Sequence, residues 1–257
     1  MKMLKTGSLL DFKWYQSKIG LEILFSLQHA DGSRKVFGLL EQPNLPQTVS
    51  VKEVEYKILL VGKTGVGKTA TAANLTGHPI PENHYETTGI EVFRNYWPAR
   101  IRQLNKVVLF NLNFWESGEM AAKKFDHILP ACKDGIDCVM FLFSLVDKSS
   151  FDDLPQMICR FTELGDDICR IAVGTKFDKF DESEITQRDI ENFEQNWEIP
   201  VLKIQNLTDT TQGRESVPSM ELVLTTICEY LWARDLSLAA KGSKPKVPME
   251  SAQEIVF

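Results

Sequence analysis

Residues 62–69 read Gly-Lys-Thr-Gly-Val-Gly-Lys-Thr, the pattern GxxxxGK[ST], between a predicted strand over 56–61 and a predicted helix over 68–75. In that setting the glycines let backbone N–H groups turn inward around nucleotide phosphates, and the helix N-terminus adds its positive end. The terminal lysine bridges the β and γ phosphates, and the threonine hydroxyl binds Mg²⁺. The candidate nucleotide-binding residues of this loop are Gly62, Lys63, Thr64, Gly65, Val66, Gly67, Lys68 and Thr69.

A second motif, Thr175-Lys176-Phe177-Asp178, follows a predicted strand over 171–174. In open α/β sheets the ligand lies at the carboxyl ends of the strands, so this segment is expected beside the phosphate loop. The carboxylate of Asp178 can accept two hydrogen bonds from the N1–H and amino group of guanine, whereas adenine offers no such pair of donors. The alkyl stem of Lys176 can cover the base. Thr175, Lys176 and Asp178 are therefore candidate guanine-binding residues.

Strand and helix patterns alternate through the middle of the chain. Strands are predicted over 56–61, 90–97, 107–115, 137–146, 171–174 and 200–205. Helices are predicted over 68–75, 123–132, 151–164, 182–197 and 217–232. This alternation predicts an α/β fold, with a mostly parallel six-stranded sheet and helices on both faces.

The two ends of the chain have different patterns. Residues 8–28 predict a helical extension, capped by Ser8, that either packs on its own domain or binds a partner. After residue 236 the composition becomes rich in Lys, Ser and Pro, which predicts a disordered tail. The sequence thus predicts an N-terminal extension over 1–50, a nucleotide-binding domain over 51–236 and a tail over 237–257.

Charge and composition argue against several classes of partner. The formal net charge is −6, and residues 42–236 carry 20 basic against 29 acidic side chains, which disfavours nucleic acid. No apolar stretch approaches the ~18 residues of a spanning helix. Lys2 excludes myristoylation and the last four residues contain no cysteine to prenylate, so no direct lipid anchor is expected. Five cysteines without metal-type spacing indicate reduced thiols in a cytoplasmic protein.

These motifs give residues 54–234 a resemblance to the Ras superfamily of small GTPases. Thr175-Lys176-Phe177-Asp178 is similar to the family's N-K-x-D, and residues 84–90 resemble its switch I, with Thr87 at the threonine that coordinates Mg²⁺. Residues 114–119, Phe-Trp-Glu-Ser-Gly-Glu, resemble the start of switch II. The resemblance implies a Ras-like P-loop G domain that binds GTP or GDP with Mg²⁺. It also implies that Glu116 supports the metal indirectly and that Gly118 meets the γ phosphate.

The extension ending in Val-Phe-Gly-Leu-Leu-Glu-Gln-Pro, combined with these motifs, is more specifically similar to Rem- and Rab-like small GTPases of ciliogenesis and planar polarity. That resemblance implies a switch recruited by the Fuzzy–Inturned complex to the basal body of the cilium.

Four departures from the general family pattern bear on turnover and base affinity. Thr64 occupies a position that is glycine in rapidly hydrolysing relatives, and Glu119 aligns with the glutamine that orients the attacking water. Residues 116–118 form a segment one residue shorter than D-x-x-G, and the S-A-K guanine loop is not recognisable in 204–207. The resemblance therefore implies slow hydrolysis, with Glu119 as the candidate catalytic residue and Thr64 as a modulating one.

Two other functions are compatible with the same loop. One is a scaffold of this fold that holds nucleotide permanently or not at all, against which the intact Lys68, Thr69 and Asp178 count. The other is a P-loop nucleotide kinase or ATPase, which would need an arginine-rich lid that the sequence does not show between its strands.

Overall fold

The computed structural model describes residues 4–30, 32–46, 51–81, 87, 89–118, 134–163, 165–206 and 216–246. The predicted helix over 123–132, most of the segment resembling switch I, and Glu119 lie outside these residues.

Six strands form one sheet, in the order β2-β3-β1-β4-β5-β6. The strands are β1 (Lys52–Val61), β2 (Ile90–Ile101), β3 (Lys106–Ser117), β4 (Cys138–Ser144), β5 (Cys169–Thr175) and β6 (Val201–Lys203). The pairs β1–β4, β4–β5 and β5–β6 are parallel, with Ile58 opposite Cys138 and Cys138 opposite Cys169. The predicted α/β class with a mostly parallel six-stranded sheet is confirmed.

Strand β4 is buried at every residue, as its uninterrupted apolar sequence Cys-Val-Met-Phe-Leu-Phe-Ser predicts. A continuous apolar run indicates a strand that is covered on both faces, because an exposed face would alternate with polar residues. The phosphate-loop strand β1 ends in four buried or nearly buried residues beside β4, so the loop after it starts from a rigid base.

Six α-helices lie within the described residues. They are α1 (Lys18–Ser26), α2 (Lys68–Thr76), α3 (Lys148–Asp152), α4 (Leu154–Phe161), α5 (Gln187–Trp197) and α6 (Ser216–Ala240). The helix predicted over 151–164 is wrong as one element, because Pro155 lies in the first turn of α4, where a missing N–H is tolerated. The helix predicted from residue 182 begins at Gln187, where Thr186 and Asp189 form a capping box.

The N-terminal helix is shorter than the sequence predicts. A single 3₁₀ turn covers Trp14–Gln16, and α1 is capped by Ser17, whose hydroxyl accepts from the N–H of Gly20 at 3.1 Å. The predicted cap at Ser8 is therefore wrong. The helix buries Ile23 completely but leaves Phe25 69% exposed, so only part of its apolar surface packs within the protein.

Contacts divide the chain into two compact units. The first comprises residues 1–3, 57–93 and 114–208, and the second comprises residues 4–56, 94–113 and 209–257. The core of the first is formed by side chains from β1, β4 and the helices that follow, among them Leu59, Phe141, Phe143, Leu154, Ile158 and Phe193. Leu27, Phe37, Tyr96 and Leu109 pack together in the second. The predicted domain limits at residues 50 and 236 stay a prediction.

A buried carboxylate holds the N-terminal segment within the second unit. Glu229 of α6 is fully buried and accepts hydrogen bonds from the backbone N–H groups of Gly7, Leu9 and Leu10, at 2.8, 2.7 and 3.1 Å. Tyr15 adds a 2.6 Å hydrogen bond to the hydroxyl of Thr225 on the same helix. The N-terminal segment is therefore joined to the last helix by buried polar contacts.

The same segment pairs with β2, which stands at the end of the strand order. Leu10 forms an antiparallel bridge with Ile101, and Phe37 forms another with Arg94. The hydroxyl of Tyr96 donates to the carbonyl of Glu41 at 3.0 Å. The N-terminal segment thus meets this strand at two points.

Helix α6 ends at Ala240 and so includes the first four residues of the predicted tail, and the backbone N–H of Lys246 donates to Asp235 at 3.2 Å. Across the part of the chain that the structure describes, no helix has the length and apolar content needed to cross a membrane.

Candidate nucleotide-binding site

The loop between β1 and α2 is shaped by its glycines. A Cβ on Gly62 would lie 2.5 Å from the carbonyl oxygen of Leu142, so no larger residue fits there. Gly65 and Gly67 have φ of +81° and +95°, in the left-handed region that side chains disfavour. Helix α2 begins directly after Gly67, so the N–H groups of its first turn face the loop.

Lys68 lies within the curve of this loop. Lys68 is only 7% exposed, and its Nζ donates to the carbonyl oxygens of Gly62 and Lys63 at 3.0 Å each. Backbone carbonyls therefore fix the position of the ammonium group. A cation held in this way suits the phosphate-bridging role that the sequence predicts for Lys68.

The other loop side chains are placed differently from one another. Lys63 Nζ is 2.7 Å from Asp153 Oδ2 and donates to the carbonyl of Ser149 at 3.1 Å, so its side chain is directed toward α3 and α4. Val66 is buried in the core, whereas Thr64 and Gly65 are exposed. Lys63 and Val66 can therefore contribute to a ligand site mainly through their backbone.

Three residues that were predicted to bind the metal ion lie together, because two hydroxyl groups donate to one carboxylate oxygen. Oε1 of Glu116, at the end of β3, accepts from Thr69 Oγ1 at 2.7 Å and from Thr87 Oγ1 at 3.3 Å. Thr69 belongs to the phosphate loop and Thr87 to the segment that resembles switch I. The shortened segment after Glu116 thus still allows this carboxylate to reach both hydroxyls.

Glu116 is only 2% exposed, and its second oxygen, Oε2, has no hydrogen-bond partner among the described residues. Burial raises the pKa of Glu116 above its usual range, although the Thr69 hydrogen bond and the charge of Lys68 oppose this effect. A buried carboxylate with an unpaired oxygen is costly unless a positive charge is close to it.

This donor set fits a magnesium ion. Mg²⁺ prefers oxygen ligands and is usually held by one or two protein groups together with substrate phosphates. Thr69, Thr87 and Glu116 supply three oxygens next to the phosphate loop. Among the described residues, no group of three or more His, Cys, Asp or Glu side chains could hold a metal ion.

Gly118 lies against the segment that resembles switch I. A Cβ on Gly118 would be 1.7 Å from the carbonyl oxygen of Thr87, and the N–H of Gly118 donates to the carbonyl of Gly89 at 3.3 Å. Only glycine fits this contact. Gly118 is therefore adjacent to Thr87, whereas Glu119 lies outside the described residues.

The predicted guanine-binding motif meets the phosphate loop through its first residue. Thr175 is fully buried at the end of β5, and its hydroxyl donates to the carbonyl of Val66 at 2.5 Å. Thr175 therefore joins β5 to the phosphate loop, and Lys176 follows it with a left-handed φ of +57°. Asp178 is exposed in the 3₁₀ turn over Phe177–Glu182.

Asn206 belongs to the same neighbourhood and was not among the predicted site residues. Its Nδ2 donates to Thr71 Oγ1 at 2.9 Å, and its Oδ1 accepts from Asn74 Nδ2 at 3.0 Å. Nδ2 also lies 3.8 Å from the Cβ position of Gly67. One feature of the sequence could have indicated Asn206 as a site residue. It is a polar residue directly after the predicted strand over 200–205, where relatives have the S-A-K guanine loop.

Comparison with known proteins agrees with this geometry. The sequence model of the Ras family matches residues 57–212. Ciliogenesis and planar polarity effector 2 of Danio rerio is 39% identical over 97% of this chain and 98% of its own length. The Homo sapiens protein of that name is 40% identical over 96% and 97% of the two chains. The Homo sapiens Ras-related protein Rab-26 is 23% identical over 76% of this chain and 71% of its own.

The residues matched by the family model include the phosphate loop, the hydrogen-bonded group of Thr69, Thr87 and Glu116, and the motif over 175–178. All of these residues lie in the first compact unit. The resemblance drawn from the motifs is thus confirmed: this chain belongs to the Ras family, in the group of relatives named ciliogenesis and planar polarity effector 2.

Proposed function

We propose that this chain is a GTP-binding switch with slow hydrolysis that acts in cilium assembly and planar polarity. The observation that carries the proposal is the convergence of Thr69 and Thr87 on Glu116. This contact links the phosphate loop to the segment resembling switch I, so a change in bound nucleotide can alter the position of that segment. Such a link is what a nucleotide-dependent switch requires.

Mg²⁺ and the nucleotide would share the site between these residues. Thr69, Thr87 and Glu116 would hold the ion, which when bound neutralises charge on the phosphate oxygens. Lys68 would add its ammonium to the β and γ phosphates, and the N–H groups of the loop and of α2 would surround them. Gly118 would meet the γ phosphate next to Thr87.

Guanine selectivity would come from the motif after β5. The hydroxyl of Thr175, the first residue of this motif, donates to the carbonyl of Val66. This hydrogen bond sets the position of the motif relative to the phosphate loop. Asp178 is exposed and so available to the donors of a guanine base, with Lys176 beside it. Asn206 also donates a hydrogen bond to Thr71 of α2, the helix that follows the phosphate loop.

Slow hydrolysis follows from two side chains. Thr64 is exposed on the loop and would crowd the γ phosphate, where fast relatives have glycine. Glu119 would accept a hydrogen bond from water but could not donate one to the transferring phosphoryl group. Both features favour a switch that persists in its GTP state.

The cellular role is inferred from the relatives. Proteins that match nearly the whole chain are named ciliogenesis and planar polarity effectors. We infer that this chain acts in the same process, in the cytoplasm and at the basal body, through GTP-dependent contact with the Fuzzy–Inturned complex.

Chromatography of the nucleotide released from purified protein tests this function. We expect GTP, or GDP with slow conversion, in close to equimolar amount. An adenine nucleotide would favour the kinase or ATPase, and protein without nucleotide would favour the scaffold. As a further control, Thr69→Asn should disfavour the GTP state and reduce recovery of partners from ciliated cells. Equal recovery of partners with the wild-type protein and the Thr69→Asn variant would support the scaffold.

A further inference from the structure

We propose that the second compact unit binds a small organic carboxylate with an apolar body, in a cavity between the N-terminal segment, β2 and the start of α6. The cavity has a volume of about 490 Å³, its open mouth included, which lies in the usual range for small-molecule sites. The residues that line it all belong to the second unit, whereas those of the candidate nucleotide site belong to the first. The proposal therefore goes beyond the nucleotide switch.

Most of the cavity wall is apolar. Leu24 of α1, Leu27 and Phe37 of the segment after it, Trp97 of β2 and Met220 of α6 all contribute to it. The last four of these residues are at most 9% exposed, so the surrounding core fixes their side chains. A wall of this kind favours an apolar ligand body, because binding removes apolar surface from water.

Asn95 adds an unpaired hydrogen-bond donor to the wall. It is 5% exposed, and its Nδ2 has no hydrogen-bond partner among the described residues. Trp97, two positions along β2, donates through Nε1 to Thr225 of α6 at 3.1 Å, so the alternation of the strand directs Asn95 toward α6 as well. Its amide torsion is soft, which allows Nδ2 to turn toward a ligand. An oxygen of the ligand would satisfy this buried donor.

The charged side chains of the wall favour an anion. Arg34 and Lys35 line the cavity, and Lys35 Nζ donates to the carbonyl of Ser26 at 2.9 Å. Burial lowers the pKa of Arg34 to about 10, and a nearby anion would oppose that effect. Glu221 is the acidic residue among the described residues of the wall, and burial raises its pKa, which disfavours its negative charge.

A carboxylate suits these groups better than a more highly charged anion. With Glu221 ionised, the wall carries two positive side chains and one negative side chain. A phosphate monoester would bring nearly two negative charges to this small excess, whereas a carboxylate brings one. The two oxygens of a carboxylate can accept from the guanidinium of Arg34 and from the amide of Asn95.

Titration calorimetry of the full chain with sodium octanoate, octan-1-ol and octylammonium chloride tests the class of ligand, because the three probes share an apolar chain and differ in charge. We expect octanoate to bind at one site, about 10-fold more tightly than octanol. Octylammonium should bind most weakly. Methyl NMR spectra with octanoate should show shifts at Leu24, Leu27 and Met220, which line the cavity.

Three variants separate the polar contacts from the shape of the cavity. Arg34→Gln should lower the affinity for octanoate to about that for octanol and leave octanol binding unchanged, which also shows that the cavity is intact. Asn95→Leu should weaken octanoate binding but not octanol binding. Met220→Trp should prevent binding of both probes, because the larger side chain fills the cavity. Arg188→Gln, on the exposed side of α5, is the control for loss of an arginine and should bind octanoate like wild type.

Equal affinities of the wild-type protein for octanoate and octanol would overturn the proposal of a carboxylate ligand. An unchanged octanoate affinity in Arg34→Gln would overturn it too. Shifts at the exposed Leu222 without shifts at Met220 would overturn the location, and absence of saturable octanoate binding below its micellar concentration would overturn the site itself. The proposed function is tested separately by the nucleotide that the purified protein releases.

Discussion

At the residue scale, the site combines side chains that are fixed by the protein with others that face outward. Lys68 and Thr175 are buried and bound to backbone carbonyls of the phosphate loop. Thr64 and Asp178 are exposed. Substitution of the first pair would disturb the loop itself, whereas substitution of the second pair removes no buried side chain. The exposed residues therefore give the clearest tests of function.

Asp178→Asn should exchange guanine for xanthine selectivity, because the new amide presents a donor to the 2-carbonyl of xanthine and loses an acceptor for guanine. We expect GTP affinity to fall by about 10- to 100-fold, the usual range for hydrogen bonds to a charged group. Competition with a fluorescent nucleotide measures both affinities. Asp181→Asn in the same 3₁₀ turn is the control, and unchanged GTP binding in Asp178→Asn would exclude this base contact.

Thr64→Gly should raise the rate of single-turnover GTP hydrolysis, because it removes the methyl group and hydroxyl expected beside the γ phosphate. Adding Glu119→Gln should raise it further, by up to about 100-fold, since the amide restores a donor to the transferring phosphoryl group. Rapid mixing with radiolabelled GTP gives the rates. A wild-type rate above that of the double variant would show that another residue, or a partner, supplies catalysis.

At the scale of single elements, the end of α2 illustrates how a helix positions the loop before it. Gly77 ends the helix in a left-handed conformation, and the next N–H, of His78, donates to the carbonyl of Ala73 at 2.9 Å. Nδ1 of His78 lies 2.7 Å from the hydroxyl oxygen of Thr76. The rings of His78 and Phe93 pack edge-to-face, with their centroids 5.3 Å apart. The helix is thereby fixed at the end opposite the nucleotide loop.

Because burial lowers the pKa of His78, the stability of the protein should fall in mild acid. The unfolded chain binds the proton near pH ~6.5, whereas the folded chain binds it only at lower pH, so the contribution of His78 is complete above that value and decreases below it. Urea unfolding between about pH 7.5 and 5.5 should therefore show a weaker pH dependence in His78→Gln than in wild type. His29→Gln is the control for loss of a histidine, and equal slopes in all three proteins would contradict the prediction.

Local sequence signals predicted the elements better than they predicted contacts. The strands and the phosphate loop followed from apolar runs and glycine spacing, which depend on neighbouring residues. The role of Asn206 and the direction of the Lys63 side chain depend on elements distant in the chain, such as α2 and Asp153. The cap at Ser17 was missed because Ser8 offered a similar local pattern. Tertiary contacts decided the cases of Asn206 and Lys63, whereas the cap at Ser17 is a local hydrogen bond to Gly20.

At the scale of the whole molecule, the first and last segments of the described chain belong to the same compact unit. Glu229 makes this connection with three backbone N–H groups, and Tyr230 adds its hydroxyl as acceptor for the N–H of Leu4 at 3.3 Å. These hydrogen bonds join the first described residues to α6. The extension therefore behaves as part of its unit and is expected to fold with α6.

Glu229→Ala should lower the free energy of unfolding by about 3 kcal/mol, since the buried N–H of Leu10 and the partly buried N–H groups of Gly7 and Leu9 would lose their acceptor. Glu229→Gln keeps one acceptor oxygen and should cost less. Urea denaturation gives both values, and hydrogen exchange at Gly7, Leu9 and Leu10 should accelerate in the alanine variant. Glu221→Gln, on the same helix, is the control. A Glu229→Ala protein as stable as wild type would show that the segment is held by its apolar contacts alone.

The two bridges between the N-terminal segment and β2 restrict how another protein can bind. An edge strand with free N–H and C=O groups can accept an added strand from a partner, or from another copy of the chain, and so extend the sheet. Here Leu10 and Phe37 already pair near Ile101 and Arg94, so an incoming strand could not continue along this edge without displacing them. Extension of the sheet along β2, by a partner or by a second copy of the chain, would therefore require release of the N-terminal segment.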